Sequence, residues 1–416
     1  MSDFHIGLVG FGNIGTGVVR HLQEQGGLLA ERCGRRLVLK AICDKDLDRD
    51  RGVSTAGIRL TSDYKSLTTD PSLHAIIELV GGTTIAKEVI LSALSNGKHV
   101  VTANKAVLAT FGGELFDAAR ANNVELLFEA SVGAGIPAIR ALQGGLLPNQ
   151  INGVYGILNG TCNFILTAME QDPKLTYGDV LKVAMEKGYA EPDPTLDVEG
   201  DDTAHKIAIM GALAFGYDLR GKETVKEGIT KIRPTDFEFA RNQNATIKLV
   251  AAASPEADGS LQLSVWPTVV PLSHPLGGIR GVINSFLFAC NPAGNMQFTG
   301  AGAGQGSTSS GIVSDLCLLA QCSSVEQLRR LNPLRIAGGK RPQGGISQNH
   351  PARIGRLCGP KAGAAASDLK LKVVQTLGDA IYVELPAQNS SQRQNFVATL
   401  EQHGVEGFLE LRLAPK

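Results

Sequence analysis

The sequence predicts an α/β protein: a doubly wound parallel sheet first, an α+β domain in the middle, and a small α+β segment at the end. Three observations carry this. Strand-like and helix-like segments alternate over roughly the first 135 of the 416 residues, the order of a parallel sheet with crossover helices. Glycine is abundant, at 49 residues, and not periodic, which suits tight turns and close backbone approaches. From about residue 136 the alternation gives way to longer, antiparallel-looking runs.

"HIGLVGFGNIGTGVVRHL" reads as strand, turn and helix, with Gly10, Gly12 and Gly15 spaced as GxGxxG. In that context the glycines let backbone N–H groups approach a pyrophosphate at the positive end of the helix. The turn, Gly10, Phe11, Gly12, Asn13, Ile14 and Gly15, is therefore a candidate dinucleotide loop of Rossmann type. "LVLKAICD" is a second strand ending in Asp44, placed to accept from an adenosine ribose hydroxyl. Asp44 favours NAD; Lys45, Arg49 and Arg51 follow closely and suit the 2′-phosphate of NADP. "AIIELVGG" is a third strand, leading to Gly81, Gly82, Thr83 and Thr84, with Thr83 a candidate cofactor contact. An amphipathic helix closed by Gly97 follows, and then "KHVVTANKA", a fourth strand that exits into Asn104 and Lys105. Ligands collect at such strand ends, so Lys105 is a candidate for orienting a carbonyl beside nicotinamide. "NVELLFEASVG" is the fifth strand.

The expected boundaries are a dinucleotide domain over 1–135, completed by a helix near 300–330 that packs back on it, a second domain over 136–300, a linker over 335–355, and a tail over 356–416. "VYGILNGTCNFILTAM" reads as strand, turn and helix; "DTAHKIAIMGALAFG" as a helix capped by Gly216; "LQLSVWPTVVP" and "INSFLFACN" as long strands. In the tail the pattern reads strand, helix, strand.

Bulk composition excludes several classes. Basic and acidic residues balance at 40 each, so neither nucleic acid nor an anionic membrane is expected as a partner. No apolar run reaches transmembrane length. Seven scattered cysteines without a CxxC pair fit a reduced, cytoplasmic protein, and the N-terminus reads as a first strand rather than a targeting peptide.

The stretch "YAEPDPTLDVEGDDTAHK", residues 189–206, holds six carboxylates followed by Lys206. Pro192 and Pro194 break the spacing of a calcium-binding loop. Asp202 and Lys206 lie four apart at a helix start, so they share a face. A charged lysine held there can give a proton to the alkoxide formed when hydride reaches an aldehyde. Carboxylates around one lysine suit a small, zwitterionic amino-acid substrate that bears a carbonyl. Two other readings stand beside this one. Cys162 in "NGTCN" resembles the nucleophile of phosphorylating aldehyde dehydrogenases. A non-catalytic dinucleotide sensor, with the tail as effector module, is the third.

"AMEKGYAEPDPTLDVEGDDTAHK" resembles the signature of the homoserine dehydrogenase family, and "VTANKA", "EASVGAGIP" and "LNGTCNFIL" look like further blocks of that family, in its order. The resemblance covers roughly residues 4–325 and implies NAD- or NADP-dependent interconversion of L-aspartate 4-semialdehyde and L-homoserine. It implies Lys206 as proton donor, Lys105 beside nicotinamide and substrate, and Glu191, Asp197 and Asp202 around the substrate's polar groups. It also implies a monovalent-cation site, sodium or potassium, at Glu129 with the carbonyls of Val132, Ala134 and Ile136. The family is commonly dimeric through the sheet of its middle domain, so 136–300 is expected to serve substrate binding and dimerisation, in a homodimer or higher homo-oligomer. Long members end in a regulatory ACT domain, βαββαβ. The tail here is expected to be a degenerate, ACT-like version, with Gln and Ser at the helix entry where the family has Gly.

Overall fold

The computed structural model describes residues 3–218, 223–332, 334, 336, 339–347, 349–351 and 353–413. Of the expected linker, residues 335, 337, 338, 348 and 352 lie outside the described residues, as do residues 414–416 of the tail. The chain forms two compact units, one from residues 1–152, 205–221 and 289–341, the other from 153–204, 222–288 and 342–416.

In the first unit, β1 (Asp3–Val9), α1 (Asn13–Cys33), β2 (Arg36–Cys43), β3 (Arg59–Thr61), β4 (Ala75–Glu78), α2 (Thr84–Ser95), β5 (His99–Thr102), α3 (Lys105–Ala121) and β6 (Leu126–Leu127) follow one another. The sheet order is β3-β2-β1-β4-β5-β6, every pairing parallel. β4 is buried at every position, which is why Ala75, Ile76 and Ile77 are apolar without alternation, and Glu78 is the one acid among them. β3 is an addition to the expected strands: three residues at an edge, two of them exposed, leave no apolar pattern to read. The expected fifth strand shortens to two residues, because the chain turns into a helical turn at Ala130–Gly133. The core joins β1 (Ile6, Leu8), α1 (Val18, Val19), β2 (Ile42) and β4 (Ile77) to the helix Gln305–Gln321 through Ile312, Val313, Leu316 and Leu319. That helix is also latched by Gln305, whose amide donates to the Asn13 carbonyl at 2.9 Å and whose oxygen accepts from Arg20 at 2.7 Å.

In the second unit part of a mixed sheet runs in the order Ile283–Asn291, Gln150–Ile157, Ala245–Pro255, Leu261–Pro271, Gly407–Leu413, Arg353–Cys358, Ala380–Leu385 and Val373–Leu377. Its tail corrects the degenerate reading. Strand Arg353–Cys358, helix Ala362–Asp368, strands Val373–Leu377 and Ala380–Leu385, helix Ser390–Gln402 and strand Gly407–Leu413 make a complete βαββαβ. They close over a core of Leu357, Ala365, Ala366, Val383, Leu385, Leu400 and Val405. The first strand carries Arg353 and Arg356, which hide its strand character. Both are buried: Arg356 pairs with Asp236, and Arg353 donates to Gln388 at 3.0 Å. Such partners, distant in sequence, make buried charge tolerable and are invisible to local patterning. The tail strand Gly407–Leu413 joins Leu261–Pro271 in parallel, and Trp266 Nε1 donates to the Glu410 carbonyl at 3.0 Å. Residues 343–347 follow the same strand, with Ser347 N–H on the Leu261 carbonyl at 2.8 Å.

Candidate active site

The order of the parallel sheet reverses between β1 and β4, the place where such sheets bind ligands. There the Leu79 N–H donates to the Val9 carbonyl at 2.8 Å, which brings the two exits together. Gly10 has φ +100°, and a Cβ would lie 2.5 Å from the Leu79 carbonyl; at Gly15 it would lie 2.3 Å from the Gly10 carbonyl oxygen. Side chains are therefore excluded at both. Gly12 has open space on its Cβ side, and it caps α1, so the helix start faces outward. Gly12 and Asn13 are exposed, Ile14 packs partly on the core, and Phe11 is buried.

Asp44 does more than close β2. Its carboxylate accepts the Phe11 N–H at 2.5 Å and the Asp46 N–H at 2.9 Å, with Arg51 at 3.5 Å. Arg51 lies over the Phe11 ring at 4.6 Å, while Lys45 and Arg49 are exposed. Asp44 and Arg51 thus shape the glycine loop itself.

At the β4 and β5 exits the organiser is Glu78, a residue the sequence reading passed over. It is fully buried, and it accepts the Thr102 hydroxyl at 2.7 Å and the Val80 N–H at 2.8 Å. Burial pushes its carboxyl above the ordinary range, against the pull of these hydrogen bonds. Asn104 caps α3 by accepting the Val107 N–H at 3.1 Å and donates to the Gly82 carbonyl at 2.7 Å. Lys105 is the first residue of α3, and Thr83 precedes α2. The available signal was one acid ending an otherwise apolar strand.

Glu129 is buried with its two oxygens on the N–H groups of Ile139, 3.0 Å, and Arg140, 2.7 Å. Asp315 accepts the Glu129 N–H at 2.8 Å and the Arg140 guanidinium at 2.9 Å. Burial and the neighbouring Asp315 raise the Glu129 carboxyl to about 8, and burial raises Asp315 to about 6. Val132, Ala134 and Ile136 are buried; the Ala134 carbonyl faces Gly311, and the Ile136 carbonyl accepts the Ala138 N–H at 2.7 Å. Among the described residues, no group of three or more His, Cys, Asp or Glu is placed to hold a metal ion.

The carboxylates of 189–206 separate into different roles. Asp193 binds Thr195, Glu199 accepts from Thr230 at 3.1 Å, and Asp201 pairs with Lys226 at 3.0 Å; these three shape the loop. Glu191 is exposed. Asp197 and Asp202 are brought together by Asn159, whose amide donates to both at 2.8 and 3.0 Å. The other end of Asn159 caps the helix Gly160–Gln171 by accepting the Cys162 N–H at 2.8 Å. Cys162 is fully buried, and its thiol faces the Asp197 carbonyl oxygen at 3.2 Å, a packing position rather than that of an exposed nucleophile. Asp202 and Lys206, 8% and 9% exposed, lie one turn apart on the helix Asp201–Phe215.

A family model for the NAD-binding domain of homoserine dehydrogenase matches residues 10–129, and one for homoserine dehydrogenase matches 137–317. The homoserine dehydrogenase of Neisseria gonorrhoeae is 38% identical over 331 residues, 80% of this chain and 75% of that protein. The chain belongs to the homoserine dehydrogenase family. That membership makes it an NAD(P)-dependent oxidoreductase and sets aside the sensor and Cys162 readings. The crystal structure of a homoserine dehydrogenase from Thiobacillus denitrificans superposes with a TM-score of 0.88 at 31% identity, covering 100% of this chain and 98% of that one. A hyperthermophilic archaeal homoserine dehydrogenase, solved in complex with NADPH, reaches 0.61 at 26% identity over 76% of this chain and 97% of its own. No helix among the described residues is long and apolar enough to cross a membrane.

Proposed function

We propose that the protein interconverts L-aspartate 4-semialdehyde and L-homoserine in the cytoplasm, as a homodimer or higher homo-oligomer, in threonine, methionine and isoleucine biosynthesis. The observation that carries this reading is the Asn159 clamp on Asp197 and Asp202, one helical turn before Lys206. When bound, NAD or NADP exchanges a hydride with the substrate's C4. Gly10, Phe11, Gly12, Asn13, Ile14 and Gly15 form its pyrophosphate loop, Asp44 stands by the adenosine ribose, and Thr83 and Lys105 border the nicotinamide. Lys206 donates the proton to the carbonyl oxygen as it becomes alkoxide, and takes it back in the reverse direction. Lys105 adds positive charge where the oxyanion develops. Asp202, with Asp197 and Glu191, holds the α-ammonium group. The NADPH complex of the archaeal relative supports this cofactor class.

4-Hydroxybutanoate, which is homoserine without its amino group, tests the carboxylates. Its turnover is expected to be about a hundredth of the homoserine rate or less, the loss of a charged hydrogen-bonded contact. Equal rates would remove the carboxylates from substrate recognition.

Glu129, with the carbonyls of Val132, Ala134 and Ile136, is proposed to hold sodium or potassium. The charges fit: two buried carboxylates face a single Arg140, so ionised Glu129 has charge to share with a cation. A pH signature follows. Glu129 ionises near 4.5 when unfolded and near 8 in the fold without cation. Between those values the unfolded chain releases its proton and the fold keeps it, so stability falls as pH rises and levels off above about 8. Melting temperatures at pH 6 and 8.5 check this. Added potassium or sodium should raise the value at pH 8.5 more than at pH 6, and Glu129→Gln should flatten both dependences. A cation effect equal at the two pH values contradicts the assignment.

A further inference from the structure

We propose that Glu78 is a positioning residue for the reaction, its buried carboxylate fixing the turn from which Lys105 leaves β5. The inference rests on the reading that Lys105 borders nicotinamide and substrate, and it names what holds Lys105 there.

β4 is buried at all four positions, and Glu78 is its last residue, fully out of solvent. A carboxylate in such a place is tolerated only when its lone pairs are filled. Two donors fill them, one on each oxygen, and they come from two different strand exits. The Val80 N–H, at 2.8 Å, comes from the β4 exit. The Thr102 hydroxyl, at 2.7 Å, comes from the β5 exit.

The second exit is then locked by its own bonds. The Asn104 N–H donates to the Thr102 hydroxyl oxygen at 3.0 Å. Its side-chain amide also reaches the Gly82 carbonyl at 2.7 Å, crossing to the first exit. Its oxygen caps α3 through the Val107 N–H at 3.1 Å. Lys105 begins α3 immediately after this cap, so its Cα is set by Asn104, and Asn104 by Thr102, whose hydroxyl Glu78 holds. An apolar side chain at position 78 would fill the same volume and leave these donors unpaired. A glutamine keeps the shape but offers one acceptor oxygen in place of two, so at least one donor loses its partner.

The test is a double-mutant cycle on homoserine oxidation, with thermal melts confirming that each variant is folded. Glu78→Gln is expected to lower kcat by about 10- to 100-fold, the range for a misplaced catalytic group. Any rise in the dinucleotide KM is expected to be smaller than the fall in kcat, because the glycine loop is also held by Asp44 on the Phe11 N–H. Thr102→Val removes one donor and should act in the same direction with smaller effect; it carries the test if Glu78→Gln does not fold. In a Lys105→Ala background, Glu78→Gln should lower kcat no further, because the group it positions is gone. Equal factors in both backgrounds would make Glu78 a structural residue only and overturn the proposal, as would wild-type kcat in Glu78→Gln. Full turnover in Lys105→Ala alone would instead overturn the role given to Lys105, and this inference with it.

Discussion

Lys206→Ala is expected to lose most turnover, by about 10²- to 10⁴-fold, the usual contribution of a positioned general acid or base. The variant should still fold and bind dinucleotide, because the glycine loop, Asp44 and the β4 exit are built without Lys206. Lys206 is 9% exposed on the helix Asp201–Phe215, so water replaces its ammonium poorly. Lys206→Arg sharpens the test. A guanidinium keeps the positive charge but does not release a proton at working pH. Charge alone therefore predicts substantial rescue by arginine, and proton transfer predicts little. Steady-state rates of both variants, with dinucleotide affinity measured separately, decide between them. Full activity in Lys206→Ala would remove Lys206 from the mechanism, and full activity in Lys206→Arg would remove its proton transfer and leave it a charge alone.

Asn159→Ala should cost both stability and substrate affinity. One side chain makes three bonds: to Asp197, to Asp202 and to the Cys162 N–H at the start of a helix. The lost cap is worth about 1 kcal/mol. Each hydrogen bond to a carboxylate is worth about 1.5–3 kcal/mol. A total near 3–5 kcal/mol is expected, discounted because Asp197 is only partly buried and water can replace some of what is lost. The homoserine KM should rise, since the two carboxylates lose the donor that holds them together. Asn159→Asp keeps the cap but sets a third carboxylate against Asp197 and Asp202, so it should cost at least as much stability as alanine and raise the KM at least as far. Denaturant melts and homoserine titrations read each term. Wild-type stability in Asn159→Ala would mean that the carboxylates find other donors.

What the sequence made legible follows from how local the cause is. The glycine loop was readable because its spacing is local, Gly15 answering to the Gly10 carbonyl five residues before it, although Gly10 itself meets Leu79 of a distant strand exit. The helix bearing Asp202 and Lys206 was readable because its period is its own. Glu78 was not, because its meaning lies in Thr102 on another strand and in the turn to Asn104 that Thr102 holds. The division of the acidic stretch was hidden for the same reason. Asp201 differs from Asp202 only through Lys226 and Asn159, which lie 25 and 43 residues away. The tail shows the limit most plainly. Its first strand, "RIGRLC", reads as polar, yet all six residues are buried, because Asp236 and Gln388 answer its arginines. Its first helix, "AGAAASD", is too short and too small in side chains to show a period.

The central claim is that this chain moves a hydride between a nicotinamide and C4 of homoserine. The most direct measurement mixes purified protein with L-homoserine at alkaline pH, in monovalent salt, and follows nicotinamide reduction with NAD and NADP in separate cuvettes. A homoserine-dependent rise in absorbance is expected with at least one cofactor, and the ratio of the two rates reports which of Asp44 and Arg51 governs the ribose. A flat trace with both, in folded protein, would contradict it.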